Sequence, residues 1–174
     1  MTLDSQLGAL TVEQATLADA PVVGALRDEL ATWMLQHGIQ QWSPGEMPLD
    51  WIEVCIANGW VYLVSRDEQL AGSVTVVWRD PLIWGERPEP AGYIHMLMVD
   101  RAFGGHGVGR SILEWAEAVV AGSGRRVARL DCVEGNQPLR DYYEAAGYVF
   151  VGNKTFPDID WAGATALYEK QLPS

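Results

Sequence analysis

Apolar residues recur at helical spacing in four stretches of the chain, and short runs of β-forming residues separate these stretches. The first helix is predicted to begin after Asp19, a plausible N-cap, because apolar residues then follow three or four positions apart as far as Met34. The other helices are predicted at Leu49–Ala57, from Val108 to the glycines Gly122 and Gly124, and at Asn136–Ala146.

Strands are predicted where β-branched and aromatic residues cluster between turn residues. These runs are Val12–Ala15, Trp60–Arg66, Leu70–Trp78, Tyr93–Val99, Val127–Val133, Tyr148–Lys154 and Ala164–Leu172. Between the third and fourth of them, Arg79–Gly92 is predicted to be a long loop, because its three prolines argue against regular structure. Helices and strands together predict one α+β domain over residues 1–174.

Composition and charge exclude several kinds of partner. The chain has 174 residues, of which 48% are hydrophobic, and this suits one packed domain. Its 12 Lys and Arg against 23 Asp and Glu give a net charge of −11, which repels nucleic acid and anionic membranes. No apolar run approaches the roughly 20 residues of a bilayer crossing. Cys55 and Cys132 have no zinc-site spacing, so we expect a cytoplasmic protein without a metal.

A glycine-rich turn lies between a predicted strand and a predicted helix, in the sequence Gly104-Gly105-His106-Gly107-Val108-Gly109. Glycines allow close backbone approach, so successive N–H groups can converge on an anion at the positive end of the helix. The turn therefore predicts a diphosphate site that includes Arg110 and Ser111. His106 is a candidate donor to a phosphate oxygen.

A dinucleotide-binding turn is the weaker interpretation of these glycines. Its pattern G-x-G-x-x-G, begun at Gly105, would need a third glycine where this chain has Arg110. Asp131 does lie about 20 residues further on, where a ribose-binding acid is expected. No GK[ST] sequence follows the turn, which argues against a P-loop nucleotidase.

Two segments resemble the GNAT superfamily of N-acetyltransferases. Gly107 and Gly109 match the two small positions of the motif Q/R-x-x-G-x-G/A, whereas Gly104 replaces its first residue. Arg101 or Arg110 could compensate for that change. The second segment is similar in spacing to N-x-x-A-x-x-L-Y-E-x-x-G-F, and its matching positions are Asn136, Leu139, Tyr142, Tyr143, Glu144, Gly147 and Tyr148.

This resemblance implies a mixed, mostly antiparallel sheet, flanked by about four helices and splayed between its fourth and fifth strands, Tyr93–Val99 and Val127–Val133. The pantetheine arm of acetyl-coenzyme A would pair in that gap with the backbone of Leu97, Met98 and Val99. The Met98 N–H would stabilise the oxyanion, and Asn136, Leu139, Tyr142 and Tyr143 would lie beside the cofactor.

The resemblance also implies that Tyr143 is the general acid for the departing thiolate. Alternatively, Tyr142 and Tyr143 are core aromatic residues of a short helix. His95 is our candidate base, because a histidine titrates near neutrality, although a structural histidine that binds a neighbouring strand fits equally well. Asp131 or water could replace it as the base, and Asp131 and Cys132 could help to orient water or the amine.

The acceptor pocket is implied to lie among the N-terminal helices, the loop after the third strand and the segment 156–161. Its candidate residues are Trp33, Trp42, Trp84, Glu46, Asp50, Glu86, Asp131, Asp158, Asp160 and Trp161. Indole rings and carboxylates together bind cations, so a small primary amine or a polyamine-like molecule is the expected acceptor. The tryptophans could instead fill edges of the domain or a dimer interface.

Two rivals to the acetyltransferase are a catalytically silent acyl-coenzyme A sensor and a nicotinamide-dependent oxidoreductase. Tyr143 argues against the first, and the missing third glycine argues against the second. We also expect a homodimer, because Ala164–Leu172 is predicted to be an exposed strand able to pair with a second copy.

Overall fold

A computed structural model describes residues 2–5, 8–156 and 163–173 of the chain. Its strands are β1 (Thr2–Ser5), β2 (Gly8–Gln14), β3 (Val61–Arg66), β4 (Gln69–Val77), β5 (Ala91–Val99), β6 (Val127–Val133), β7 (Val149–Lys154) and β8 (Thr165–Gln171). Its α-helices are α1 (Ala20–Gln36), α2 (Leu49–Ala57), α3 (Pro81–Trp84), α4 (Val108–Gly122) and α5 (Gln137–Ala145). Single 3₁₀ turns lie at Leu17–Asp19 and Arg101–Phe103.

The described strands form one sheet in the order β1-β2-β3-β4-β5-β6-β8-β7. All neighbouring strands are antiparallel except β5 and β6, which run parallel. This confirms the predicted mixed, mostly antiparallel sheet, with one more strand at the N-terminus and five helices where about four were expected.

Helices cover the sheet on both faces. On one face α4 packs its apolar stripe, which includes Ile112, Leu113 and Val120, against the central strands. On the other face α1 and α2 contribute Val23, Leu26, Leu30, Ile52 and Ile56 to a second core. Because β4 lies between the two layers, its residues are buried without interruption from Ala71 to Val77.

The sheet splays between β5 and β6, as predicted. The two strands pair only where Ala91, Gly92 and Tyr93 face Val127–Arg129, and no pairing between them continues beyond Tyr93 in the described chain. A β-bulge on β5 accompanies the divergence, because Met96 and Leu97 together oppose Val74 alone on β4. Met96 adopts a φ of 45°, an uncommon conformation for a residue other than glycine.

Three local predictions differ from the structure in bounds, element type or position in the sheet. The stretch Arg79–Gly92 contains α3, because Pro81 occupies the first position of a helix, where proline is favoured, and the Asp80 carboxylate caps it by accepting from the Ile83 N–H at 3.1 Å. The predicted strand Val12–Ala15 begins earlier, at Gly8, and ends at Gln14. The last strand, β8, is interior, since it pairs with both β6 and β7.

The exposed edge near the C-terminus is therefore β7, which presents Val149, Phe150 and Val151 to solvent. The other edge of the sheet is β1, and the homodimer itself stays a prediction. Within the described residues, no helix has the length and hydrophobicity that a membrane crossing requires.

Candidate active site

A cavity of about 840 Å³ lies along the splayed part of the sheet. The bulged segment of β5, the end of β6 and helix α5 form one side of it through His95, Leu97, Asp131, Leu139 and Tyr143. The segment that joins α1 to α2, helix α2 itself and helix α3 form the opposite side. The divergence of β5 from β6 thus produces a site of the size that small ligands and cofactor arms occupy.

The unpaired edge of β5 faces this gap. Leu97 lies on the cavity wall, whereas the Met98 side chain is buried in the core on the α1 side of the sheet. Gly72 on β4 permits the close approach of the bulged strand, because a Cβ there would lie 2.3 Å from the Met98 carbonyl oxygen. An extended ligand could pair with this edge of β5 as an added strand.

The glycine-rich turn leads directly into α4. Gly107 is the N-cap of that helix with a φ of 77°, in the left-handed region that glycine adopts without strain. The first turn of α4 has no acidic side chain, so nothing there offsets its positive end. The N–H groups at the start of α4 have no acceptor within the helix, as at any helix N-terminus, and the anion site predicted there stays a prediction.

The two arginines that could compensate for the missing motif side chain both contact other groups. Arg110 donates from Nε to Glu114 at 2.6 Å and from Nη1 to the Ala145 carbonyl at 3.4 Å. Arg101 stacks on the Trp33 ring at 3.8 Å, and its Nη1 lies 3.4 Å from the position that a Cβ of Gly104 would take. His106 is exposed in the turn. The turn therefore offers backbone donors, the helix end and the Arg101 guanidinium beside Gly104.

The second motif lies on α5, beside the turn. Asn136 caps this helix by accepting from the Leu139 N–H at 3.3 Å, and its amide nitrogen donates to Gln41 Oε1 at 3.1 Å. Tyr142 faces the start of α4, where its hydroxyl lies 3.4 Å from the position a Cβ of Gly109 would take. Gly109 thus allows the two motifs to meet.

Tyr143, the next residue of α5, lines the cavity. It is 7% exposed and packs edge-on against Tyr142 at 5.6 Å between ring centres. Burial, followed by the charges of Cys132 and Asp131, raises the pKa of the Tyr143 hydroxyl. This tyrosine therefore keeps its proton throughout the neutral range.

A cluster of three charged groups lies at the cavity wall where β5 and β6 separate. His95 has Nε2 at 3.2 Å from Asp80 Oδ2 and Nδ1 at 3.5 Å from Asp131 Oδ1. Neither contact has good hydrogen-bond alignment, and both carboxylate oxygens are buried without another partner. The three groups could each offer one atom to a metal ion, since those atoms lie within 4.8 Å of one another. The predicted absence of a metal stays a prediction.

The environment of the cluster raises the pKa values of His95 and Asp131. Burial alone would lower the pKa of His95, but the Asp80 contact and the charges of Asp131 and Asp80 outweigh it, so the pKa is raised. Burial raises the pKa of Asp131 to about 6, with a further rise from Asp80 and an opposing effect of His95. A pKa of about 6 allows the Asp131 carboxyl to exchange a proton close to neutral pH.

The candidate acceptor residues fall into two groups. Trp42 and Asp131 line the cavity, and Asp50 lies on its wall at the exposed start of α2. Trp33 stacks on His37, Trp84 is buried against Tyr93, and Glu46 binds Arg27 at 3.1 Å and the Ser43 N–H at 2.7 Å, so these three lie off the cavity wall. Asp158, Asp160 and Trp161 lie outside the described residues.

Sequence reasoning missed Asp80, Trp51 and Trp60, which also line the cavity. An Asp-Pro pair is a common helix start, so Asp80-Pro81 carried a signal that could have placed Asp80 in an ordered element. Trp60 looked like the first residue of a strand. Only the packing of α2 over the sheet brings its indole to the cavity.

Known proteins resemble this chain over nearly its whole length. Residues 26–148 match the acetyltransferase (GNAT) family. An uncharacterized N-acetyltransferase of Bacillus subtilis (strain 168), YesJ, is 33% identical over 167 residues, which cover 91% of this chain and 88% of that protein.

Solved structures agree with this match. A GNAT-family acetyltransferase from Listeria monocytogenes 4b F2365 has a TM-score of 0.83 at 27% identity, covering 99% of this chain and 100% of its own. The NatC complex bound to Gag peptide and CoA has a TM-score of 0.71 over 94% of this chain and 99% of its own. At 14% identity, that second similarity shows the fold alone.

Proposed function

The chain belongs to the acetyltransferase (GNAT) family, and on this basis we propose that it transfers the acetyl group of acetyl-coenzyme A to a primary amine on a small cationic molecule. The observation that carries the proposal is the continuity of one site. The splayed edge of β5 leads from the anion-binding turn of α4 to a cavity with a tyrosine and a buried carboxylate–imidazole cluster.

The turn Gly104–Ser111 would hold the diphosphate of the cofactor, because backbone N–H groups and the positive end of α4 converge there. The pantetheine arm would pair with Leu97–Val99 in the gap and pass Asn136, Leu139 and Tyr142. CoA is present in the NatC structure, which shares this fold. In this arrangement the Met98 N–H would stabilise the oxyanion.

The reaction would proceed by direct attack. The amine nitrogen bonds to the thioester carbon, the C–S bond of the tetrahedral intermediate then breaks, and the thiolate takes a proton from Tyr143. The amine loses its proton to His95, to Asp131 or through water. Cys132 is unsuited to an acetyl-enzyme, because it is fully buried and burial raises the pKa of its thiol to about 12.

Initial-rate kinetics test this route. With both substrates varied and free thiol measured, we expect reciprocal plots that intersect, as in a ternary complex. Cys132→Ala should give the same pattern, because the thiol takes no part in the chemistry. Parallel lines, together with an acetylated protein after incubation without amine, would contradict direct attack.

The pH profile of His95→Gln identifies the group that accepts the amine proton. A base must be deprotonated, so the parent should lose activity as the pH falls through the raised pKa of His95, above its ordinary value of about 6.5. If His95 is the base, the rate profile of the variant lacks this acidic limb, and the variant turns over about 10²-fold more slowly.

The opposite result would assign the role to Asp131. Because the charge of His95 lowers the pKa of Asp131, the His95→Gln limb would then persist and move to higher pH. His37→Gln is the matched control, since His37 lies at the exposed end of α1 and should keep the parent profile.

The silent sensor is the second candidate function. A module that only binds an acyl-coenzyme A needs the anion turn and the gap, but it does not need a tyrosine and a charged cluster in the same cavity. Their presence there supports the enzyme.

A further inference from the structure

The acceptor side of the cavity is lined almost entirely by large apolar and aromatic side chains. Trp42, Met47, Trp51, Val54, Trp60 and Leu82 line it. Three of them stay open to solvent at the mouth, since Trp51 is 40% exposed, Val54 56% and Leu82 57%. Large apolar side chains exposed together around a cavity are typical of a surface that binds an apolar group.

The charge of the cavity is concentrated at one point. Asp80 and Asp131 contact His95 at 3.2 and 3.5 Å, so the acidic groups of the wall lie together at this one place. An ammonium group bound there would give the buried oxygens Asp80 Oδ2 and Asp131 Oδ1 a well-aligned donor.

The rest of the described wall offers little to a second ammonium. Its other charged residues are Asp50, which is exposed at the start of α2, and Arg79, which is exposed and bound to Glu86 at 3.0 Å. An exposed carboxylate contributes little to binding, and an arginine repels a cation. A second ammonium would therefore find no buried carboxylate on this part of the described wall, and the attraction of the indole faces for a cation is weaker than that of a buried carboxylate.

We propose that the acceptor is a primary monoamine with an apolar or aromatic body, whose nitrogen lies at Asp80, His95 and Asp131 while its body packs against Trp42, Trp51 and Trp60. This inference rests on the proposed function, and it sets aside the polyamine-like acceptor expected from the sequence. Such a ligand matches one charge to one buried anionic cluster and buries its apolar surface on the wall.

A matched pair of amines gives the test. Pentylamine and 1,5-diaminopentane differ by one terminal ammonium, and thiol release with acetyl-coenzyme A gives kcat/KM for each. We expect pentylamine to be preferred by about tenfold or more, because the diamine leaves an unpaired charge on an apolar wall. Propylamine, butylamine and pentylamine should improve by about fourfold per methylene, as each methylene is buried. Phenylethylamine should also have a higher kcat/KM than the diamine.

Two variants that add a negative charge to α2 test whether the cavity wall determines the preference for the monoamine. Val54→Glu places a carboxylate on the cavity wall. It should raise the kcat/KM of the diamine relative to that of pentylamine by about tenfold. Leu49→Glu adds the same charge to the same helix at a residue that is 44% exposed and off the wall, so it should leave the ratio unchanged. Both sites are open to solvent, which makes both variants compatible with folding.

Binding separates this inference from the proposed function. Calorimetry of the CoA-loaded protein should show the same preference for pentylamine. If the parent enzyme has a higher kcat/KM for the diamine or for a lysine-containing peptide, the inference is wrong, but the proposed acetyltransferase function is not affected. If pentylamine binds selectively but no amine causes thiol release, the proposed acetyltransferase function is wrong, and the inferred class of ligand remains supported. Equal binding of the two amines overturns the inference.

Discussion

Replacement of Tyr143 by phenylalanine is expected to lower the turnover number by about 10²–10⁴-fold, the range of a positioned acid or base. The substitution removes the hydroxyl and keeps the ring, which packs among Tyr142, Tyr148 and Tyr168. The fold should survive, and the affinity for acetyl-coenzyme A should change little. Burial raises the pKa of this hydroxyl, so deprotonation of Tyr143 should not lower the activity of the parent near neutral pH.

Tyr148→Phe is the control for this variant. Tyr148 is 3% exposed, its ring centre lies 6.1 Å from that of Tyr143, and it is not a lining residue of the cavity. The same hydroxyl deletion there should leave turnover within a few fold of the parent, as steady-state thiol release would show. If Tyr143→Phe turns over like the parent, the proton must come from water or another group.

Replacement of Gly107 by glutamate should weaken coenzyme A binding by about a thousandfold. The side chain would put a negative charge beside the bound diphosphate at the N-terminus of α4, where like charges a few ångströms apart repel by about 4 kcal/mol. It would also force a non-glycine residue into a φ of 77°. Isothermal calorimetry with coenzyme A measures the loss directly.

Gly124→Glu is the matched control for backbone strain and net charge. Gly124 has a φ of 82° just beyond the other end of α4, and an added Cβ there would meet nothing within 4 Å. This variant should bind coenzyme A as the parent does. Parent-like binding by Gly107→Glu would show that the diphosphate lies elsewhere.

Local pattern was sufficient for the elements that build the cofactor side. The Tyr93–Val99 strand, the glycine turn and the α4 and α5 helices were predicted because helical period, glycine spacing and caps are properties of neighbouring residues. The splay between β5 and β6 was predicted from family resemblance. Periodicity could not supply it, because strand pairing depends on residues that are distant in sequence.

The elements that sequence reasoning missed depend on such distant packing. Ala164–Leu172 was taken for an exposed strand, yet β8 lies between β6 and β7, and no local feature of its residues distinguishes an interior strand from an edge. Trp84 was predicted to contact the substrate, but α3 places its side chain in a buried cluster, where it packs against Tyr93. Asp80 belongs to the cluster because one of its oxygens caps α3 while the other lies 3.2 Å from His95 Nε2.

The most direct test of the central claim is product analysis after incubation of the protein with acetyl-coenzyme A and pentylamine. The account predicts one N-acetylpentylamine for each free thiol formed, by mass spectrometry and thiol titration, with no product when the protein or the amine is omitted and almost none with Gly107→Glu. Tight binding of acetyl-coenzyme A without acetylation of pentylamine or any other amine supplied would contradict it and leave the silent sensor as the function.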